Sequence, residues 1–154
     1  MEIDRSKLSP MMQQYFGTKD KYPEHILFFR LGDFYEMFFE DALLTSRVLE
    51  LTLTGKQAGL DERVPMCGIP HHAYQSYADT LIEKGYKVAI CEQVEDPKEA
   101  KGIVKREVVR IVTPGTNIDM QSLDEAKNNY MMCIVYLTDH FGIATVDVTT
   151  GDYF

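Results

Sequence analysis

Two hydrophobic periodicities alternate along this chain. Ser9-Pro10 has the form of an N-cap followed by a first-turn proline, and Met12, Tyr15, Phe16 and Lys19 continue at helical spacing, so a helix is predicted that ends before Pro23. Ile26 to Leu31 is an apolar run of strand length. Phe38, Ala42, Leu43 and Leu49 suit the buried stripe of a helix over about residues 37–49. Leu51 to Thr54 reads as a strand, and Gly55 to Gly59 as a polar, flexible loop. Val64 to Ile69 is a further short strand. A helix over about residues 72–84, with Ala73, Tyr77 and Leu81 inward, closes at Gly85. Tyr86 to Glu92 and Glu107 to Val112 are strands, and Asp96 to Ala100 between them begins a helical turn.

The fold class this order predicts is α/β, with a mixed β-sheet flanked by helices rather than a purely parallel sheet. Thr113-Pro114-Gly115-Thr116 is a turn signal, and residues 117–128 (NIDMQSLDEAKN) are polar enough to read as a linker. Tyr130 to Leu137 and Gly142 to Val148 are β-rich runs joined by a turn at residues 139–141, and Thr150-Gly151-Asp152 leads into another strand. The expected organisation is therefore a domain over residues 1–116, a linker at 117–128, and a truncated second α/β domain from 129 to 154. A strand lacking its partner is a poor place to end a fold, so the 154 residues are expected to be a fragment of a longer protein.

Composition narrows the function classes. With 45% hydrophobic residues the chain has material for a real core. No apolar run reaches the roughly 18 residues of a membrane span, and the N-terminus lacks an apolar signal core. Cys67, Cys91 and Cys133 lack CxxC spacing and sit in apolar segments, which predicts reduced, buried thiols in a cytoplasmic protein. Twenty-four acidic against sixteen basic residues give a net charge of −8, whereas proteins that hold nucleic acid through phosphates are usually basic. Any role on nucleic acid must then be local, with affinity supplied elsewhere, and the chain alone is expected to bind duplex DNA weakly.

The stretch RLGDFYEMFF (Arg30 to Phe39) sets a carboxylate among aromatic rings just after a glycine. Gly32 and Asp33 turn the chain, and alternation sends Phe34 and Glu36 to one side and Tyr35 to the other. By pattern alone Phe34 reads as core, as do Phe38 and Phe39. Five blocks change that reading: MMQQYF, LGDFYEMFFEDA, VPMCGIPHHA, VAICEQVEDP and REVVRIVTPGT. Together, in order and with natural spacing, they resemble the N-terminal mismatch-recognition domain of the MutS family of DNA mismatch repair proteins, over almost all of residues 9–116. Residues 128–154 resemble the first strands of that family's connector domain.

The resemblance implies specific roles. In the family the phenylalanine of an FYE motif enters the minor groove and stacks on a mispaired or unpaired base, while the glutamate hydrogen-bonds that base; the matching positions are Phe34 and Glu36. Leu31 and Asp33 flank the wedge, and Lys56 matches a position where the family tends to carry a base near the DNA backbone, although a solvated lysine explains Lys56 as well. Kinking a duplex with an apolar wedge costs less where a mismatch has already weakened stacking. The implied partners are double-stranded DNA with mismatches or small insertion/deletion loops, a second copy through C-terminal domains beyond residue 154, and a MutL-type repair protein. ATP and Mg are implied for an ATPase domain of the parent, a DNA-dependent ATPase, with no cofactor held by this fragment. The implied location is cytoplasmic, at the nucleoid when at work.

Enzymatic readings are poorer. Cys67, His71 and His72 fall within six residues, but a tetrahedral zinc site needs more ligands, and His25 and His140 lie in separate segments. No GxxxxGK[ST] run occurs, so no catalytic residue and no P-loop is assigned. Arg106 and Arg110 read as charges on a sheet face. The alternative to mismatch recognition is a protein-interaction or structural α/β domain without DNA binding of its own; the intact FYE motif speaks against it.

Overall fold

A computed structural model describes residues 5–96, 100, 102–114, 130–148 and 150–154. The chain divides into two compact units, Met1–Val112 and Thr113–Phe154. The residues expected to form the linker, 117–128, lie outside the described residues, as do Pro97, Lys98 and Glu99 of the expected helical turn.

In the first unit α1 (Pro10–Lys19) begins as its sequence dictates. Ser9 caps it, with Oγ accepting the Met12 N–H at 3.4 Å, and Pro10 takes the first helical position where its missing N–H costs nothing. β1 (His25–Leu31) and β2 (Phe34–Phe38) form a hairpin, and α2 (Phe39–Val48) follows without a break. β3 (Thr54–Lys56), β4 (Val64–Pro70), a 3-10 turn at His71–Ala73, α3 (Tyr74–Glu83), β5 (Lys87–Gln93) and β6 (Arg106–Val112) complete the unit. α3 ends in a Schellman arrangement: Gly85 takes φ +86, its N–H donates to Ile82 O, and the Tyr86 N–H donates to Leu81 O.

The six strands form one mixed sheet in the order β3-β4-β2-β1-β5-β6, in which only β1 and β5 run parallel. Helices cover both faces. On one, Phe28, Tyr35, Met37, Cys67, Ile69, Val88 and Ile90 pack with Ala42 of α2 and Ala78, Leu81 and Ile82 of α3. On the other, Leu27, Phe29, Phe38, Val64, Ala89 and Cys91 pack with Met12 and Tyr15 of α1. Burial on both faces explains the unbroken ILFF run of β1.

Several sequence expectations shift. The helix predicted from residue 37 starts at Phe39, because β2 stays paired with β4 as far as Phe38 opposite Met66. The strand predicted at Leu51 to Thr54 is Thr54–Lys56, so the loop predicted at Gly55 to Gly59 begins inside a strand. Backbone pairing with Val64 to Met66 decides this, while Leu51 packs on the core beside α2. Phe38 is fully buried, but Phe39 is only partly so. With Phe16, Leu43, Leu60, Val64 and Pro65 it lines a cavity of about 660 Å³ that shares no residue with the β1–β2 turn. No helix among the described residues is long and apolar enough to cross a membrane.

In the second unit β7 (Tyr130–Leu137) and β8 (His140–Asp147) form an antiparallel hairpin. Its turn is Thr138-Asp139, one residue earlier than predicted. The last residues run back beside β8: Phe154 and Thr145 exchange both backbone hydrogen bonds, and Val146 bridges Tyr153. Within this unit Ile134, Val135, Tyr136 and Leu137 are all exposed, on both faces of the strand. Cys133 is exposed with them, which corrects the expectation of three buried thiols; Cys67 and Cys91 are buried.

Candidate functional site

The β1–β2 turn is two residues, Gly32-Asp33, between the paired Leu31 and Phe34. A two-residue hairpin loop follows the right-handed strand twist when its first residue has positive φ, and Gly32 supplies it at +57. The turn is held from three sides. Arg30 Nε donates to Gly32 O at 2.5 Å, the His71 N–H donates to Asp33 O at 2.9 Å, and His71 Nδ1 lies 3.0 Å from the same oxygen.

Alternation along β2 then sorts the side chains. Tyr35 and Met37 point into the α2–α3 core, at 2% and 0% exposure, and Phe38 is fully buried under α1. Phe34 lies on the same face as Phe38 but at the strand end beside the turn, and it is 48% exposed. A large apolar ring left half in water beside fully buried neighbours is the most conspicuous feature of the strand. Its cross-strand partners are Leu31 and Pro70, which make an apolar footing without covering the ring. Leu31 itself is partly buried against the α1 side of the core, whereas Asp33 is exposed.

Glu36 sits two residues on, one side-chain step in from Phe34 on the same face. Opposite it in β4 is Gly68, so no side chain rises there to fill the place beside the carboxylate. Lys56 of β3 reaches across: its Nζ lies 2.5 Å from Glu36 Oε2, with the two side chains 30% and 15% exposed. The ammonium also stands 5.8 Å from the Phe38 ring centroid. The structure thus brings Phe34, Glu36 and Lys56 onto one surface, with Leu31 and Asp33 at its edge.

A supporting network lies beneath, and local sequence reading missed it. Tyr35 Oη and Arg30 Nη1 converge on Glu92 Oε1 of β5, the latter at 3.0 Å, and the Arg30 guanidinium stands over the Tyr35 ring. Burial, and then the Glu92 carboxylate, raise the Tyr35 phenol well above its ordinary range, so Tyr35 stays a neutral donor. Arg106 Nε donates to Arg30 O at 2.7 Å, and its guanidinium packs on Phe29 at 5.1 Å. Arg106 is therefore a support of the sheet, and Arg110, 3.3 Å from Gln75 Oε1, is also engaged with a neighbour. None of this follows from spacing along the chain, since β5 reaches β1 only through the parallel crossover.

Cys67, His71 and His72 do not assemble a metal site: Cys67 is buried between Thr45 and the Ala42 carbonyl, and the histidines form the turn before α3. Among the described residues no group of three or more His, Cys, Asp or Glu side chains could hold a metal ion.

Residues 9–121 match the family model for MutS domain I. The DNA mismatch repair protein MutS of Lachnoclostridium phytofermentans is 68% identical over 149 residues, covering 97% of this chain and 16% of that protein. The protein of the same name from Alkaliphilus metalliredigens is 61% identical over 149 residues, covering 97% and 17%. That from Caldanaerobacter subterraneus is 57% identical over 150 residues, again covering 97% and 17%. The chain thus spans about a sixth of the length of these relatives. A mixed sheet flanked by helices, the matched model and these identities agree: the chain belongs to the MutS family of DNA mismatch repair proteins.

Proposed function

We propose that this chain carries the mismatch-reading element of a longer mismatch repair protein. Phe34 enters the minor groove and stacks on a mispaired or unpaired base, Glu36 hydrogen-bonds that base, Leu31 and Asp33 border the groove, and Lys56 completes the surface. The observation that carries this reading is the half-exposed Phe34 ring at the end of a strand whose next residues are buried, with Glu36 one step behind it. A wedge pays a few kcal/mol to unstack a base step, and a mismatch lowers that cost, so selectivity arises from deformability rather than sequence.

The net charge of −8 supports a phosphate grip supplied by other parts of the parent. In the same reading residues 1–116 are the recognition domain, 117–128 a linker, and 129–154 the start of a connector domain. ATP and Mg chemistry, pairing of two copies and docking of a MutL-type partner belong to parts beyond these residues, in a cytoplasmic protein working at the nucleoid. The test is a titration of mismatched and paired duplexes with the full-length parent and its Phe34→Ala variant. Loss of the preference for mismatched DNA, with paired-duplex binding kept, is the expected result. Undiminished preference would refute it.

A further inference from the structure

We propose that Lys56 is the resident counter-ion of Glu36, a positioning residue that sets how strongly Glu36 discriminates between mismatched and paired DNA, rather than a contact to phosphate. The inference rests on the groove-facing reading of Phe34 and Glu36. Its ground is the contact itself: Lys56 Nζ is 2.5 Å from Glu36 Oε2, reached diagonally across β4, where Lys56 is paired with Val64 and Glu36 with Gly68. The pair is half-sheltered, the carboxylate more than the ammonium, and the ammonium also stands 5.8 Å from the Phe38 ring centroid. The ammonium lies back along the sheet toward this carboxylate.

Such a counter-ion acts differently on the two kinds of duplex. The minor-groove edges of paired bases are rich in acceptors, so a carboxylate brought there is repelled and keeps Lys56 as its partner. The ammonium offsets part of that repulsion and so makes paired DNA less unfavourable. A displaced base at a mismatch offers a ring N–H, which takes over the carboxylate, and Lys56 matters less. Lys56 therefore moderates the discrimination that Glu36 provides.

The quantity to measure is the ratio of affinities for mismatched and paired duplexes, in the full-length parent. Any long-range attraction of the lysine charge for DNA acts equally on both duplexes and cancels in this ratio. Lys56→Met, which keeps the aliphatic stem, is expected to raise the ratio about three- to fivefold, the scale of a partly exposed ion pair. In a Glu36→Gln background the same change should leave the ratio unmoved, and Lys56→Arg should keep the wild-type value. A phosphate contact would instead lower both affinities by one factor in either background and make the salt dependence shallower by about 0.9 in log–log slope. That outcome, or an unchanged ratio, overturns the proposal. Phe34→Ala separates the two levels. If the preference survives it, the underlying reading fails and takes this inference with it. If Phe34→Ala removes the preference while Lys56→Met moves nothing, only the role of Lys56 is wrong. Denaturation midpoints of each variant confirm that folding is retained.

Discussion

Replacing Phe34 and Phe38 in turn by alanine separates a ring that serves the surface from one that serves the core. Full burial of a phenylalanine contributes about 1.5–3 kcal/mol, and Phe34, at 48% exposure, realises about half of that against Leu31 and Pro70. Phe34→Ala should therefore cost about 1 kcal/mol of folding stability. Phe38 has no exposed surface and packs against Tyr15 at 5.0 Å between ring centroids, so Phe38→Ala adds a cavity and should cost about 3–5 kcal/mol. Urea unfolding of the chain, followed by circular dichroism, compares the two directly. On DNA the order reverses. In the full-length parent, Phe34→Ala should forfeit a stacking contact of about 1–3 kcal/mol, or roughly 5- to 150-fold in affinity for a mismatch. Binding of paired duplex should change little. If Phe34→Ala destabilised the fold as much as Phe38→Ala, Phe34 would be a core residue, and the argument from its exposure would be wrong.

Three further outcomes are expected. Glu36→Gln in the parent should tighten binding to fully paired duplex by about fivefold while mismatch binding stays level or weakens modestly; equal shifts on both duplexes would count against a groove-facing carboxylate. In the 154-residue chain Cys133 should react at once with an aqueous thiol reagent, whereas Cys67 and Cys91 should react only on unfolding, since both are buried and burial pushes the Cys91 thiol up to about 11; more than one adduct on the native chain by mass spectrometry would contradict this. Burial raises the Asp41 carboxyl above its ordinary value, against the opposing pull of Lys19 at 2.9 Å and the Leu27 N–H at 3.0 Å. The folded state then holds that proton more tightly than the unfolded chain, so the Asp41 contribution to stability is largest in acid and declines as pH rises above about 3.9. Asp41→Asn should remove this slope, and a wild-type-minus-variant difference in unfolding free energy that stayed constant from about pH 3 to pH 7 would refute it.

Much of the first unit was determined by the sequence itself, because the signals are local. Ser9-Pro10 caps α1, Gly85 closes α3, and the ILFF run declares a strand buried on both faces, each through sterics and solvation acting within a few residues. The turn at Gly32-Asp33 and the inward Tyr35 were equally legible, since positive φ and side-chain alternation need no distant partner. Pattern alone, however, assigned Phe34 to the core. Its exposure depends on how the elements pack around the end of β2, a property of the assembled sheet and helices rather than of any short segment. The strand at Thr54–Lys56 was displaced for a related reason: a strand exists where its backbone groups find a ladder, and Val64 to Met66 supplied it three residues later than the apolar pattern suggested. Glu92 came to Arg30 and Tyr35 because β5 lies beside β1, and Lys56 came to Glu36 diagonally across β4 because β3, β4 and β2 are neighbours. Hydrophobic periodicity records which face of an element is buried, but only the order of strands in the sheet decides which charges meet.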